Sequence, residues 1–311
     1  MIQLPDSRCL LVVLPWVCGA PLAHAVIVAG TMGTGNNNDT QAGLDGHLVA
    51  AAQSPFPYWQ NLVRVTDASG VYLGFNPNTS RGWVLSANHV TPPTSITVAG
   101  NPYSVANGIQ IGTSDLKLYE IGGGISDPAL PSLASVPLAS AFASTDQFSL
   151  MFGRGFTNSN TAPYPWVAPG TSDSNGMRWG TNTVLGYGLV NGNWHIVVDF
   201  TDPSATGVTA YEAQAVLGDS GGGLFIFRGG QWELSGIAHF VDDGPDFLEP
   251  QNAPTGDNQV DPSQYGDFSA YTDVHWHLAT LQNLTGPLVP EPRSALLLLA
   301  GLGLWSGRRS R

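Results

Sequence analysis

The sequence predicts an all-β protein. Short apolar runs recur along the chain and are broken by Gly, Pro, Asn, Ser and Asp, with 38 glycines and 23 prolines in 311 residues. That punctuation suits the strands of barrels or sandwiches. Helical periodicity is scarce, so a helix-rich architecture is not expected.

The expected strands follow in order. Residues 62–65, 71–75 and 82–86 are β-branched, aromatic or aliphatic runs between turn residues. Residues 95–98, 116–121, 148–152, 181–185 and 195–200 repeat the pattern, as do 223–227, 232–239 and 268–271. One helix is expected over residues 274–284, with Val274, Leu278 and Leu281 on one face and Gly286 as its stop. Residues 26–54 are rich in Gly, Asn, Ala and Asp and predict a mobile arm. Residues 242–267 predict a solvated acidic loop with four prolines; calcium is conceivable there, but the spacing fits no calcium-loop pattern.

Both ends read as addresses. Residues 1–25 predict a secretory signal: Arg8, an apolar stretch over 9–17, and Ala23-His24-Ala25 as a cleavage site. Cys9 and Cys18 both lie inside it, so the processed chain has no cysteine and relies on its core alone. Between residues 26 and 290 there are 21 acidic and 6 basic side chains, a net charge of −15. That excludes the phosphate backbone of nucleic acid as a natural partner. At the other end, Val289-Pro290-Glu291-Pro292 precedes an apolar run over 294–305 and then Arg308-Arg309-Ser310-Arg311. The run is short of the about 20 residues a full span needs, and the basic tail favours the cytoplasmic side. This order resembles the PEP-CTERM sorting signal of Gram-negative bacteria. The resemblance implies processing by an exosortase, with signal peptidase acting at the other end. It also implies delivery to the cell surface or extracellular matrix, with membrane contact only through residues 287–311 before processing.

Chemistry concentrates in Gly218-Asp219-Ser220-Gly221-Gly222. Glycines on both sides let the backbone turn tightly around a serine hydroxyl. The amides of Gly218 and Ser220 are then placed to converge as an oxyanion hole. A serine alcohol needs a base, and His89 is the best placed, at the end of the apolar strand WVLSANHV. His24 falls in the signal and His47 in the arm. His195 and His239 lie within strand patterns, and His275 and His277 open the helix. The last two, with Asp273, are spaced to face different sides and do not predict a metal site. Asp115, before the alternating strand 116–121, is the expected carboxylate that orients the imidazole; Asp127 and Asp146 are its rivals. This chemistry calls for no cofactor and no metal.

WVLSANHV, DLKLYEI and GDSGGG resemble, in order, the histidine, aspartate and serine motifs of the chymotrypsin/trypsin-like serine peptidases. WELSGI is similar to the strand after the nucleophile, and Tyr271-Thr272-Asp273-Val274 with the terminal helix to the closing segment. The resemblance covers residues 58–284. It implies two six-stranded antiparallel barrels over residues 55–286, a C-terminal helix, and a serine endopeptidase acting on protein or peptide substrates. His89 is then the general base, Asp115 its orienter, Ser220 the nucleophile, and Gly218 and Ser220 the oxyanion hole. Gln214, His239, Phe240 and Ser269 fall on the substrate pocket. Neutral Gln214 gives no basis for Arg or Lys preference by ion pairing, whereas His239 would favour acidic side chains.

The family often pairs a freshly cut Ile-Val-Gly-Gly terminus with the acid before the serine. Ile27-Val28-Ala29-Gly30 is similar to that start, with Asp219 as partner. The extra Val26 and the long arm point instead to local pairing of Asp219. Two other readings compete. G-x-S-x-G also describes the nucleophile elbow of α/β-hydrolase esterases, but that fold needs a parallel sheet, many helices and a histidine after the serine. A surface-displayed binding or matrix protein on an inactive protease scaffold is the non-enzymatic alternative.

Overall fold

The computed structural model describes residues 26–28, 38–154, 176–202, 204–216, 218–241 and 267–288. The first sheet uses β2 (Leu62–Val65), β3 (Ala68–Asn76), β4 (Arg81–Ala87), β5 (Ser95–Val98), β6 (Asn101–Gln110) and β7 (Leu116–Ile121). They close in the order β2-β3-β4-β7-β6-β5. The second uses β8 (Phe148–Gly153), β9 (Arg178–Val190), β10 (Asn193–Asp199), β12 (Gly223–Arg228), β13 (Gln231–Val241) and β14 (Phe268–Asp273). They close in the order β10-β14-β13-β12-β8-β9. All pairings within both barrels are antiparallel, and closure leaves neither sheet with a free edge. A small antiparallel pair joins β1 (Ile27–Val28) to β11 (Ala213–Gln214).

Local chemistry accounts for the elements. Every residue of β4 after Arg81 is buried, consistent with a run that is apolar but for Ser86, whose hydroxyl donates to the Ser69 carbonyl at 2.6 Å. Asn191-Gly192 joins β9 to β10 with both residues at positive φ, 49° and 77°, as a two-residue hairpin turn requires. A contiguous apolar core draws on both barrels, including Val71 and Leu118 from the first and Leu150, Phe225 and Leu234 from the second. Phe56 stacks on Phe152 at 4.6 Å and meets Phe225 edge-on at 4.9 Å, so the segment before β2 seals the second barrel.

The fold is therefore the expected two-barrel, all-β architecture with a short closing helix. The expected helix starts later: His275–His277 is a 3-10 turn, and α2 (Leu278–Thr285) follows, stopped at Gly286 with φ 63°. Where composition suggests a mobile arm over 26–54, the chain forms β1 and α1 (Gln41–Ala50). Thr40 caps α1 by accepting from the Gly43 amide, and Leu44 and Leu48 are buried. β6 was not expected, because most of its side chains are exposed and it lacks an apolar alternation. The signal, the sorting segment at 289–311 and the acidic loop from 242 to 266 lie outside the described residues. No described helix is long and apolar enough to cross a membrane.

Candidate active site

β4 and β7 run side by side, with Ala87 opposite Leu116. The residues just past the end of one and just before the start of the other are thus forced together. The Asn88 amide donates to the Asp115 carbonyl at 2.8 Å, and the His89 amide donates to Asp115 Oδ1 at 2.9 Å. His89 Nδ1 lies 2.7 Å from Asp115 Oδ2. Asp115 is nearly enclosed, its side chain 9% exposed, while the His89 ring is 43% exposed. An ionised carboxylate only accepts, so Nδ1 carries the proton and Nε2 keeps its lone pair. That Nε2 is 2.7 Å from Ser220 Oγ, 131 residues along the chain.

Ser220 comes from the other barrel, in the tight turn that leads into β12. The Gly221 amide donates to the Ala238 carbonyl at 2.9 Å, and the Gly222 amide to the Asp219 carbonyl at 2.7 Å. Among the described residues no acceptor takes the amides of Gly218 or Ser220. The two following glycines are sterically required. A Cβ on Gly222 would collide with the Phe152 carbonyl, and one on Gly221, at φ 82°, with the Ser69 carbonyl and Ser86 hydroxyl. Ser69 on β3 also donates its amide to the Ser220 carbonyl at 2.8 Å, tying the turn to the first barrel.

Asp219 is buried and links two separate segments of the chain. Its Oδ2 accepts from the Val216 amide at 2.8 Å and from the Val26 nitrogen at 3.2 Å. The expected local pairing is present, together with the distant one to the start of β1.

The rival acids are engaged elsewhere. Asp127 accepts from the Gly124 amide at 2.8 Å and from the Ser104 amide and hydroxyl, and the bond from Gly124 leads in holding its pKa down. Asp146 sits in a turn at φ 64° with its amide on the Val184 carbonyl. Gln214 is buried on β11 opposite Ile27. Ser269 is buried on β14, its hydroxyl accepting from the Ala215 amide at 2.9 Å.

His239 stands at a β-bulge. Ala238 pairs with Tyr271 and Phe240 with Ala270, so His239 is the extra residue, and a bulge re-aims its side chain. Its Nε2 lies 3.7 Å from Asp115 Oδ2, and its Nδ1 is 2.7 Å from His195 Nε2. Phe240 packs on both rings, at 5.1 Å from His239 and 5.7 Å from His195. His195 Nδ1 is 3.0 Å from the Asn193 carbonyl, and Thr272 Oγ1 approaches its Nε2 at 3.3 Å. Burial, reinforced by the neighbouring His239, pushes the His195 pKa down to about 4. Burial also lowers that of His239, against the pull of Asp115. In sequence His195 reads as a packing or hydrogen-bonded group; the register of β10 against β14 supplies what the sequence does not, that its hydrogen-bond partner is His239.

Fold and site together define a two-barrel β protein with a serine, an imidazole and a carboxylate in hydrogen-bonded series at the seam. No protein-family model and no curated protein matches the chain. Among solved structures it is similar to neuropsin, a serine protease expressed in the limbic system of mouse brain. The two share 17% identity over 74% of this chain and 96% of that one, with a TM-score of 0.45.

Proposed function

We propose that the chain is an exported serine endopeptidase. The observation that carries this reading is the uninterrupted series Ser220 Oγ, His89 Nε2, His89 Nδ1, Asp115 Oδ2, with 2.7 Å at each link. In the proposed reaction Ser220 Oγ attacks a peptide carbonyl and its proton passes to His89 Nε2. Asp115 stabilises the resulting imidazolium, and the amides of Gly218 and Ser220 receive the developing oxyanion. His89 then gives its proton to the departing amine, leaving an acyl-serine. Water, deprotonated by the same Nε2, hydrolyses that ester and restores the serine.

Antiparallel barrels are incompatible with the α/β-hydrolase elbow, so the esterase reading lapses. No observation favours an inactive scaffold. Both ring nitrogens of His239 face groups of the chain itself, so a preference for acidic side chains is not part of this proposal.

Export rests on the signal at 1–25 and the PEP-CTERM-like tail, and with them goes the proposed cell-surface or matrix location. Cleavage after Ala25 would turn the Val26 nitrogen into an ammonium 3.2 Å from the Asp219 carboxylate. Signal removal would thereby create a buried, charge-assisted bond beside the nucleophile. An active-site-directed fluorophosphonate tests the reading, followed by peptide-library cleavage. Labelling of Ser220 in the processed protein is expected; a folded, processed chain that labels no serine overturns it.

A further inference from the structure

The proton positions behind Asp115 are fixed by one carbonyl. The Asn193 oxygen can only accept, so His195 Nδ1 carries the hydrogen in their 3.0 Å bond. In an imidazole that donates through Nδ1, Nε2 is the acceptor, and this ring is only 1% exposed. His239 Nδ1 must then be the donor in the 2.7 Å contact between the two rings. A neutral His239 is left with a lone pair on Nε2. That lone pair faces Asp115 Oδ2 at 3.7 Å, two electron-rich atoms with no hydrogen to share between them.

Such a gap suits a cation that both atoms can ligate. Zinc holds imidazole nitrogen at about 2.0–2.1 Å and carboxylate oxygen at about 2.0–2.2 Å, so a 3.7 Å separation lets one ion bridge them. His89, Asp115 and His239 each offer one donor atom, and the three atoms lie within 4.8 Å of one another. A cleft of about 200 Å³ reaches the cluster from behind, lined in part by Asn88, Thr113, Asp115, Asn193 and His239. The outer partners of a metal site are also present. A ligating imidazole generally donates its other N–H to a fixed acceptor, and His239 does so to His195, which donates in turn to Asn193.

We infer that His239, Asp115 and His89 form an inhibitory site for a zinc-class divalent cation. This rests on the endopeptidase reading of the same residues. Coordination through His89 Nδ1 moves the imidazole proton from Nδ1 to Nε2. Nε2 then donates to Ser220 Oγ and can no longer accept from it. The metal thus imposes the wrong tautomer on the base, and removing it restores the resting arrangement.

The experiment uses the processed protein stripped with chelator. Zinc binding is measured directly by calorimetry, and Ser220 reactivity separately with the fluorophosphonate. Expected are one tight zinc per chain, loss of labelling at one equivalent, and recovery on adding EDTA. Deleting a ligand in His239→Gln should weaken zinc binding by about 100-fold or more. Thermal melting checks that this variant is folded; if it is not, His89→Gln removes a second ligand and decides the matter by calorimetry alone. Equal zinc affinity in wild type and a folded ligand variant overturns the inference. So does zinc that binds without suppressing labelling, or no binding at all. If the metal-free protein labels no serine, the endopeptidase reading fails, while calorimetry still judges the metal site.

Discussion

The imidazoles of His195 and His239 meet nitrogen to nitrogen at 2.7 Å, behind the carboxylate that orients His89. Both rings are held below the ordinary histidine range, chiefly by burial, and His195 falls to about 4. In the unfolded chain each would titrate near 6.5. Between about pH 6.5 and 4 the unfolded state therefore binds more protons, and stability falls as pH falls. His195 alone should cost about 3 kcal/mol by the acid end of that window. Urea midpoints from pH 7.5 to 4.5 should drop in the wild type and drop less in His195→Gln. Equal midpoints at pH 7.5 and 5 would contradict the buried pair.

Activity should depend on three residues as one unit. Ser220→Ala is expected to reduce turnover about a million-fold, with His89→Ala close behind. Asp115→Asn should lose about 10⁴-fold, because an amide no longer enforces the Nδ1–H tautomer. Asp127→Asn, whose carboxylate caps a turn at Gly124 and Ser104, should stay near wild type. Steady-state cleavage of a selected peptide reads all four, and an active Asp115→Asn would refute the assignment of the acid.

Gly222→Ala addresses the turn that carries Ser220. The added methyl meets the backbone carbonyl of Phe152, which cannot rotate aside as a side-chain tip could. A loss of about 1–3 kcal/mol is expected from overpacking, together with reduced serine labelling. A melting temperature equal to wild type would show that the turn yields more than its packing implies.

The Val26–Asp219 contact predicts that maturation matters. Protein that retains residues 1–25 should label more slowly than protein beginning at Val26. Asp219→Asn should remove that difference and destabilise the processed form by about 3 kcal/mol, the scale for breaking a buried charge pair. Indistinguishable labelling rates for the two lengths would sever signal removal from reactivity.

Much of this was legible in the sequence. The strands of the two barrels announce themselves because their inward residues are apolar and their turns carry Gly, Asn and Asp. β6 escaped because its side chains mostly face water, so its place is set by hydrogen bonds to β5 and β7. α1 escaped because burying only Leu44 and Leu48 leaves a weak apolar stripe in a small-residue segment. His89, Asp115 and Ser220 could be chosen from their local motifs. The role of His239 could not, since it depends on one extra residue in β13 and on a partner 44 positions away.

The Ser69 amide that holds the Ser220 carbonyl has a further consequence. The imidazole and carboxylate come from the first half of the chain and the alcohol from the second. The alcohol's own backbone is moored to the opposite barrel. A half-made or half-folded chain holds a base with nothing to activate, and prying the halves apart dismantles the centre rather than exposing it. On the proposed reading, reactivity is thereby confined to the finished molecule, a built-in safeguard for the cell that makes it.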